Sequence, residues 1–205
     1  MKNPGNRSSA AVRRTRAVPA LLVVLMLPLV FHCGGSNEAT EPPPSRPTVT
    51  PPATPAAAGL VRIAGGEGIR SDLVQVDFGI GGPTASDDIV SISFDVVLGD
   101  PTMLAPSEYA AGDIFPDDPD FPVDVIGSPA VLTDRIAVGI VKMTGPDGSG
   151  NGVGAGGARV LSVTFATLKK GSTTLWLENG VAYDSNGDEI GSITFDAATA
   201  TVTQP

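Results

Sequence analysis

The stretch Val90-Ser91-Ile92-Ser93-Phe94-Asp95-Val96-Val97-Leu98-Gly99-Asp100-Pro101 decides the fold class. Apolar side chains at 90, 92, 94, 96 and 98 alternate with Ser91, Ser93 and Asp95. A period of two places one face of a β-strand in a core and the other in water. The Gly-Asp-Pro that follows stops the strand in a turn. Val74, Val76, Phe78 and Ile80 repeat the pattern around Gln75, Asp77 and Gly79, and Ile136, Val138 and Ile140 repeat it again. Leu60-Val61-Arg62-Ile63, Val160 to Phe165, Thr173 to Leu177 and a Thr/Val-rich tail from Ile193 to Thr203 supply further strands. Between them stand Gly81-Gly82-Pro83, Gly145-Pro146-Asp147-Gly148, Lys169-Lys170-Gly171 and Asn186-Gly187. Many short strands with turn signals at this spacing predict an all-β antiparallel sandwich or barrel. The one helical hint is Pro106-Ser107-Glu108-Tyr109-Ala110-Ala111, a turn or two.

Composition narrows what such a fold can do. The 205 residues include 25 glycines and 19 prolines but only 5% aromatic side chains, one Cys and one His. A disulfide within the chain is impossible, and zinc clusters or Cys/His and Ser/His catalytic pairs are all but ruled out on counts. A net charge of −9 argues against nucleic acid, which calls for a basic face. Paired carboxylates of a glycosidase depend on spatial separation that the sequence does not give. Binding without chemistry is the expectation.

The N-terminus reads as an address. Lys2, Arg7, Arg13, Arg14 and Arg16 precede an apolar run from Ala17 to Phe31, the pattern of an export signal. The run is short for a membrane-spanning helix, which takes roughly 20 apolar residues. It ends in Leu29-Val30-Phe31-His32-Cys33-Gly34-Gly35-Ser36, which resembles the bacterial lipoprotein signal, whose cysteine is lipidated. Val30 suits the aliphatic position, whereas His32 stands where that pattern has a small residue. A plain secreted product and an uncleaved anchor are the alternatives. Residues 1–33 are thus a signal sequence ending at a lipidation candidate, Cys33. Residues 34–59, with seven prolines between Pro42 and Pro55, form an extended, disordered tether. Residues 60–205 form the domain. Five of the 13 basic residues precede Cys33, so the remainder carries 22 acids against eight bases, a net charge near −14.

Several pieces of residues 60–202 stand in the order of a known module. Ile92 to Leu98 leads into Gly99-Asp100-Pro101-Thr102-Met103-Leu104, an Asp-Pro-x-x-Leu turn. Gly112-Asp113 opens a loop, Gly156-Gly157-Ala158 leads into Arg159 to Phe165, and Asp184-Ser185-Asn186-Gly187 makes a late hairpin. In this order the chain resembles a cohesin domain. The resemblance implies a jelly-roll sandwich of about nine strands, related to cellulose-binding modules, that docks a dockerin-type protein partner on one sheet face, within polysaccharide breakdown. The signal sequence and Cys33 together lead to the expectation of display outside the cytoplasm, lipid-anchored at the cell envelope or secreted. The chain departs from the family in its Gly-rich loop, residues 145–157, and its acidic loop, residues 113–124.

The site candidates are few. Asp184, Asn186 and Asp188 look like the first half of a calcium loop, with Asp196 a loose stand-in for the distal Glu; a plain Asn-Gly hairpin turn is the simpler interpretation. Asp113, Asp117, Asp118, Asp120 and Asp124 could share a cation or form a solvated loop stiffened by prolines. The Gly-rich loop has no lysine and no following helix, so it is a connection and not a phosphate cradle. Trp176 and Tyr183 are the ligand-contact candidates. Direct polysaccharide binding, and a calcium-stabilised assembly role at the envelope, are the alternative functions.

Overall fold

The computed structural model describes residues 44–120, 122–144 and 148–205. Residues 1–43, with the expected signal sequence, Cys33 and the first part of the expected tether, lie outside the described residues. Within them are eleven strands: β1 Thr48–Thr50, β2 Leu60–Arg70, β3 Leu73–Ile80, β4 Ser91–Leu98, β5 Leu104–Ala111, β6 Val123–Gly127, β7 Arg135–Lys142, β8 Ala158–Thr167, β9 Gly171–Tyr183, β10 Thr194–Phe195 and β11 Ala200–Gln204. They form a six-stranded sheet, β1-β11-β9-β4-β7-β6, packed on a five-stranded sheet, β10-β2-β3-β8-β5. All neighbours are antiparallel except the short β10 against β2. The all-β antiparallel sandwich expected from the sequence is present, with eleven strands where about nine are expected.

Alternation sets the layers. On β3, Val74, Val76 and Phe78 are fully buried, and on β4, Ile92, Phe94, Val96 and Leu98 point the same way, toward the other sheet. Leu161, Val163 and Phe165 of β8 and Leu175 and Leu177 of β9 complete the layer between the sheets. Phe78 and Phe94 meet across it with ring centroids 5.2 Å apart, and Phe94 continues to Phe195 at 6.1 Å.

Two expectations are corrected. Residues 106–111 are not helical: they lie in β5, the edge strand beside β8. Tertiary contacts override the local preference here. The Tyr109 ring packs half-buried against the core and its hydroxyl donates to the Ser128 carbonyl at 2.6 Å. That burial raises the phenol above its ordinary pKa. A bulge between Pro106 and Glu108 admits the proline, as edge strands permit.

Residues 44–59, expected to belong to a disordered tether, instead run along the sandwich. Thr48-Val49-Thr50 pairs with the last strand, Thr48 opposite Thr203 and Thr50 opposite Thr201, with Val49 against the core. The chain then follows β2: Arg62 Nη1 donates to the Thr54 carbonyl at 3.0 Å, and the Gly59 amide to the Gly81 carbonyl at 2.8 Å. The glycines of β2 make this return possible. A Cβ at Gly66 would stand 2.8 Å from Val49 Cγ2, and one at Gly68 would stand 2.3 Å from the Pro47 carbonyl oxygen.

Candidate functional site

The outward positions of the six-stranded sheet assemble a cluster from three strands. Val97 of β4 lies between Trp176 of β9 and Arg135 of β7 in the pairing register. Although it points away from the core, Val97 is only 1% exposed, because the two long side chains beside it cover it. Arg135 is held by three acids: Nε to Asp134 at 3.0 Å, and Nη1 to Glu178 at 3.1 Å and Asp95 at 3.4 Å. These contacts, Asp134 first, raise the guanidinium pKa above its usual range. Trp176 Nε1 donates to Glu178 at 2.9 Å, and Asn179 Nδ2 donates to Asp95 at 2.8 Å.

Asn179 sits at φ 52°, the left-handed region that asparagine tolerates better than most residues. It lies where the β4–β9 register shifts. The bulge carries its amide onto the outer face, toward Asp95. One cation among three acids leaves the cluster with a surplus of negative charge. Beyond it, toward β6, the same face presents Ser93, Ala137 and Gly139, small side chains, and then Ile126, 62% exposed.

Of the sequence candidates, Trp176 belongs to this cluster and Tyr183 does not. Tyr183 shares the outer face of β9, but its register partner is Ser91, six positions along β4 from Val97. At about 3.3 Å per residue the two aromatics stand about 20 Å apart. They form no stacking platform together. Neither Arg135 nor Asp95 was singled out in the sequence. Asp95 is one more polar residue in an alternating strand, and Arg135 follows a loop, so only register joins them.

The acidic features serve the loops. Asp184 Oδ1 accepts the amides of Asn186 and Asp188, each at 2.9 Å, which caps the hairpin turn. In the acidic loop, Ile114 and Phe115 are buried and pin the segment to the core, while Asp118 accepts the Asp120 amide at 3.0 Å. Among the described residues, no three His, Cys, Asp or Glu side chains converge to hold a metal ion.

Asp88 ties two loops together. It accepts the Ser185 hydroxyl at 2.6 Å and amide at 3.3 Å, and the Gly150 amide of the Gly-rich loop. The Ser185 hydroxyl, then the Gly150 amide, hold its carboxyl below the ordinary value. A carboxyl with a lowered folded pKa contributes stability above its unfolded pKa, about 3.9, and loses it as the pH falls through the lower folded value. Acidification through that lowered value is therefore expected to release the Gly150 amide, seen as a fall in its protection factor once the intrinsic slowing of exchange in acid is allowed for. The Asp88→Ala variant should show that loss of protection already at neutral pH, and equal protection in both proteins would refute the link.

No family model matches the sequence, and no curated protein matches it. Among solved structures, the chain is similar to the second type II cohesin module from the cellulosomal adaptor ScaA scaffoldin of Acetivibrio cellulolyticus. The identity is 10%, over 78% of this chain and 98% of that one, with a TM-score of 0.50. A type II cohesin domain from the cellulosome of the same organism aligns at 15% identity over 73% of this chain and 96% of that one, TM-score 0.48. A non-cellulosomal cohesin from the hyperthermophilic archaeon Archaeoglobus fulgidus aligns at 17%, over 76% and 88%, TM-score 0.40. At such identities the likeness is one of fold.

Proposed function

We propose that this chain is an exported, non-catalytic docking module that binds a dockerin-type protein partner on the outer face of its six-stranded sheet. The observation that carries this is the cluster around Val97: a tryptophan, an arginine and three carboxylates, two from neighbouring strands and one from the turn before β7, fixed to one another on an open face and continuous with small, uncharged side chains. Surfaces of this make-up suit protein recognition, where Trp and Arg dominate the energetics. The partner's contact surface is basic at the point that meets Asp95, Asp134 and Glu178. The signal sequence exports the chain, lipidation of Cys33 anchors it, and the residues between Cys33 and Pro44 hold the sandwich off the envelope. A role in polysaccharide breakdown then belongs to the partner.

The test is capture by the full chain of dockerin-bearing proteins from the organism's own secreted proteins, followed by titration with the purified partner. Trp176→Ala is expected to weaken that complex by about 2 kcal/mol, roughly 30-fold, in a protein whose spectrum still shows it folded. Unchanged affinity would remove this face from the interface. Retention on insoluble glycan with no protein captured would favour direct polysaccharide binding instead.

A further inference from the structure

The opposite sheet carries a second feature, unconnected with the docking face. An open groove of about 510 Å3 lies on the outer face of the five-stranded sheet, within the size range of small-ligand sites. Its floor is Gly79 of β3. Arg62 of β2 and Arg159 of β8 are both register partners of Gly79, one on each side. Two strand spacings put their backbones about 10 Å apart, with no side chain standing between them. Asp77 lies two positions along β3 on the same face, and Asp113 lines the rim, where it accepts the Arg159 amide. The Gly-rich loop supplies one wall through Gly156 and Gly157.

Four charges line this groove, yet they are not paired with one another. The Arg159 guanidinium has no acceptor among the described residues, and Arg62 spends one donor on the Thr54 carbonyl and meets no carboxylate. Asp77 receives only the Gln75 amide at 2.8 Å. Two arginines that flank bare backbone on one face can fork a carboxylate between them. The chemistry around them limits what else the ligand carries. A polyanion would meet Asp77, Asp113 and a chain of net charge −9. A neutral glycan would find no aromatic side chain in the lining to stack on. What balances two cations and two anions is a ligand that bears one charge of each sign. Two residues along a strand span about 7 Å, as does an extended dipeptide from ammonium to carboxylate.

We propose that this groove binds a short zwitterionic peptide, its carboxylate held between Arg62 and Arg159 over Gly79 and its ammonium at Asp77. Gly156 and Gly157 then form a ligand wall with no side chain to fill the groove.

The experiment is a heteronuclear NMR titration of the full chain with glycylglycine, and with N-acetylglycylglycine and glycylglycine amide as blocked forms. Glycylglycine is expected to shift the Gly79, Gly157 and Arg159 amides saturably at millimolar concentration. Each blocked form, and each of the variants Arg159→Gln and Asp77→Asn, should bind at least about tenfold more weakly, the loss of one charge-assisted hydrogen-bond set. Trp176→Ala should leave the titration unchanged, which separates this site from the docking face. Absence of saturable shifts at Gly79 would overturn the proposal. So would equal binding of the acetylated peptide, or unaltered binding by Arg159→Gln in a protein whose spectrum shows it folded.

Discussion

Replacing Phe78 with alanine is expected to lower the unfolding free energy by about 3 to 5 kcal/mol, among the largest losses from a single truncation in the sandwich. Phe78 is fully buried at the centre of the layer between the sheets. It is also the first of three rings that run from β3 through Phe94 on β4 to Phe195 on β10. Truncation removes the buried area, leaves a cavity that two β-sheets cannot close by sliding together, and breaks a tilted aromatic contact. Urea unfolding at constant m-value measures the loss. Phe195→Ala, at a half-buried position at the end of the same row, should cost less. A Phe78→Ala loss under about 1.5 kcal/mol would mean that the rings do not bind the two sheets together.

Starting the protein at Leu60 instead of Pro44 is the second large effect, expected to cost about 2 to 4 kcal/mol although it removes a segment rich in proline and threonine. Four contributions are lost. Val49 leaves the core, β11 loses its partner over Thr201 to Thr203, Arg62 loses the Thr54 carbonyl and Gly81 loses the Gly59 amide. The freed conformational entropy of the segment offsets part of this. The truncated protein should also expose the outer edge of β11, a run of unpaired backbone groups that favours self-association. Equal denaturant midpoints for the two lengths, with both monomeric, would show that residues 44–59 contribute nothing to the fold.

The sequence made some of this plain and hid the rest for identifiable reasons. β3 and β4 were legible because their alternation is a local consequence of having one dry face, and both strands are long enough to show it. Residues 106–111 misled because Glu108, Tyr109 and two alanines are unobjectionable in a helix; only the Ser128 carbonyl waiting for the Tyr109 hydroxyl, and β8 alongside, make them a strand. β1 was invisible because three residues cannot show a period, and its partner lies at the other end of the chain. β6 lay unrecognised within and just beyond a stretch dominated by aspartate and proline. The site suffered most. Trp176 was noticed for its rarity, but Asp95, Arg135 and Glu178 become neighbours only when β7 and β9 settle on either side of β4. Arg62 and Arg159 are joined in the same way, through Gly79.

The antiparallel pairing of β1 with β11 also fixes how the module bears mechanical load. Thr48 stands opposite Thr203, so the peptide begins and leaves the sandwich at one pole. Tension applied between the two termini would peel these strands apart one rung at a time, a weak arrangement. Tension between the N-terminus and a molecule gripping the sheet runs along β1, straining all its rungs together and spreading the force. Such a module is mechanically suited to hang from one side with cargo on its flank, and poorly suited to serve as a link pulled from both ends of a string.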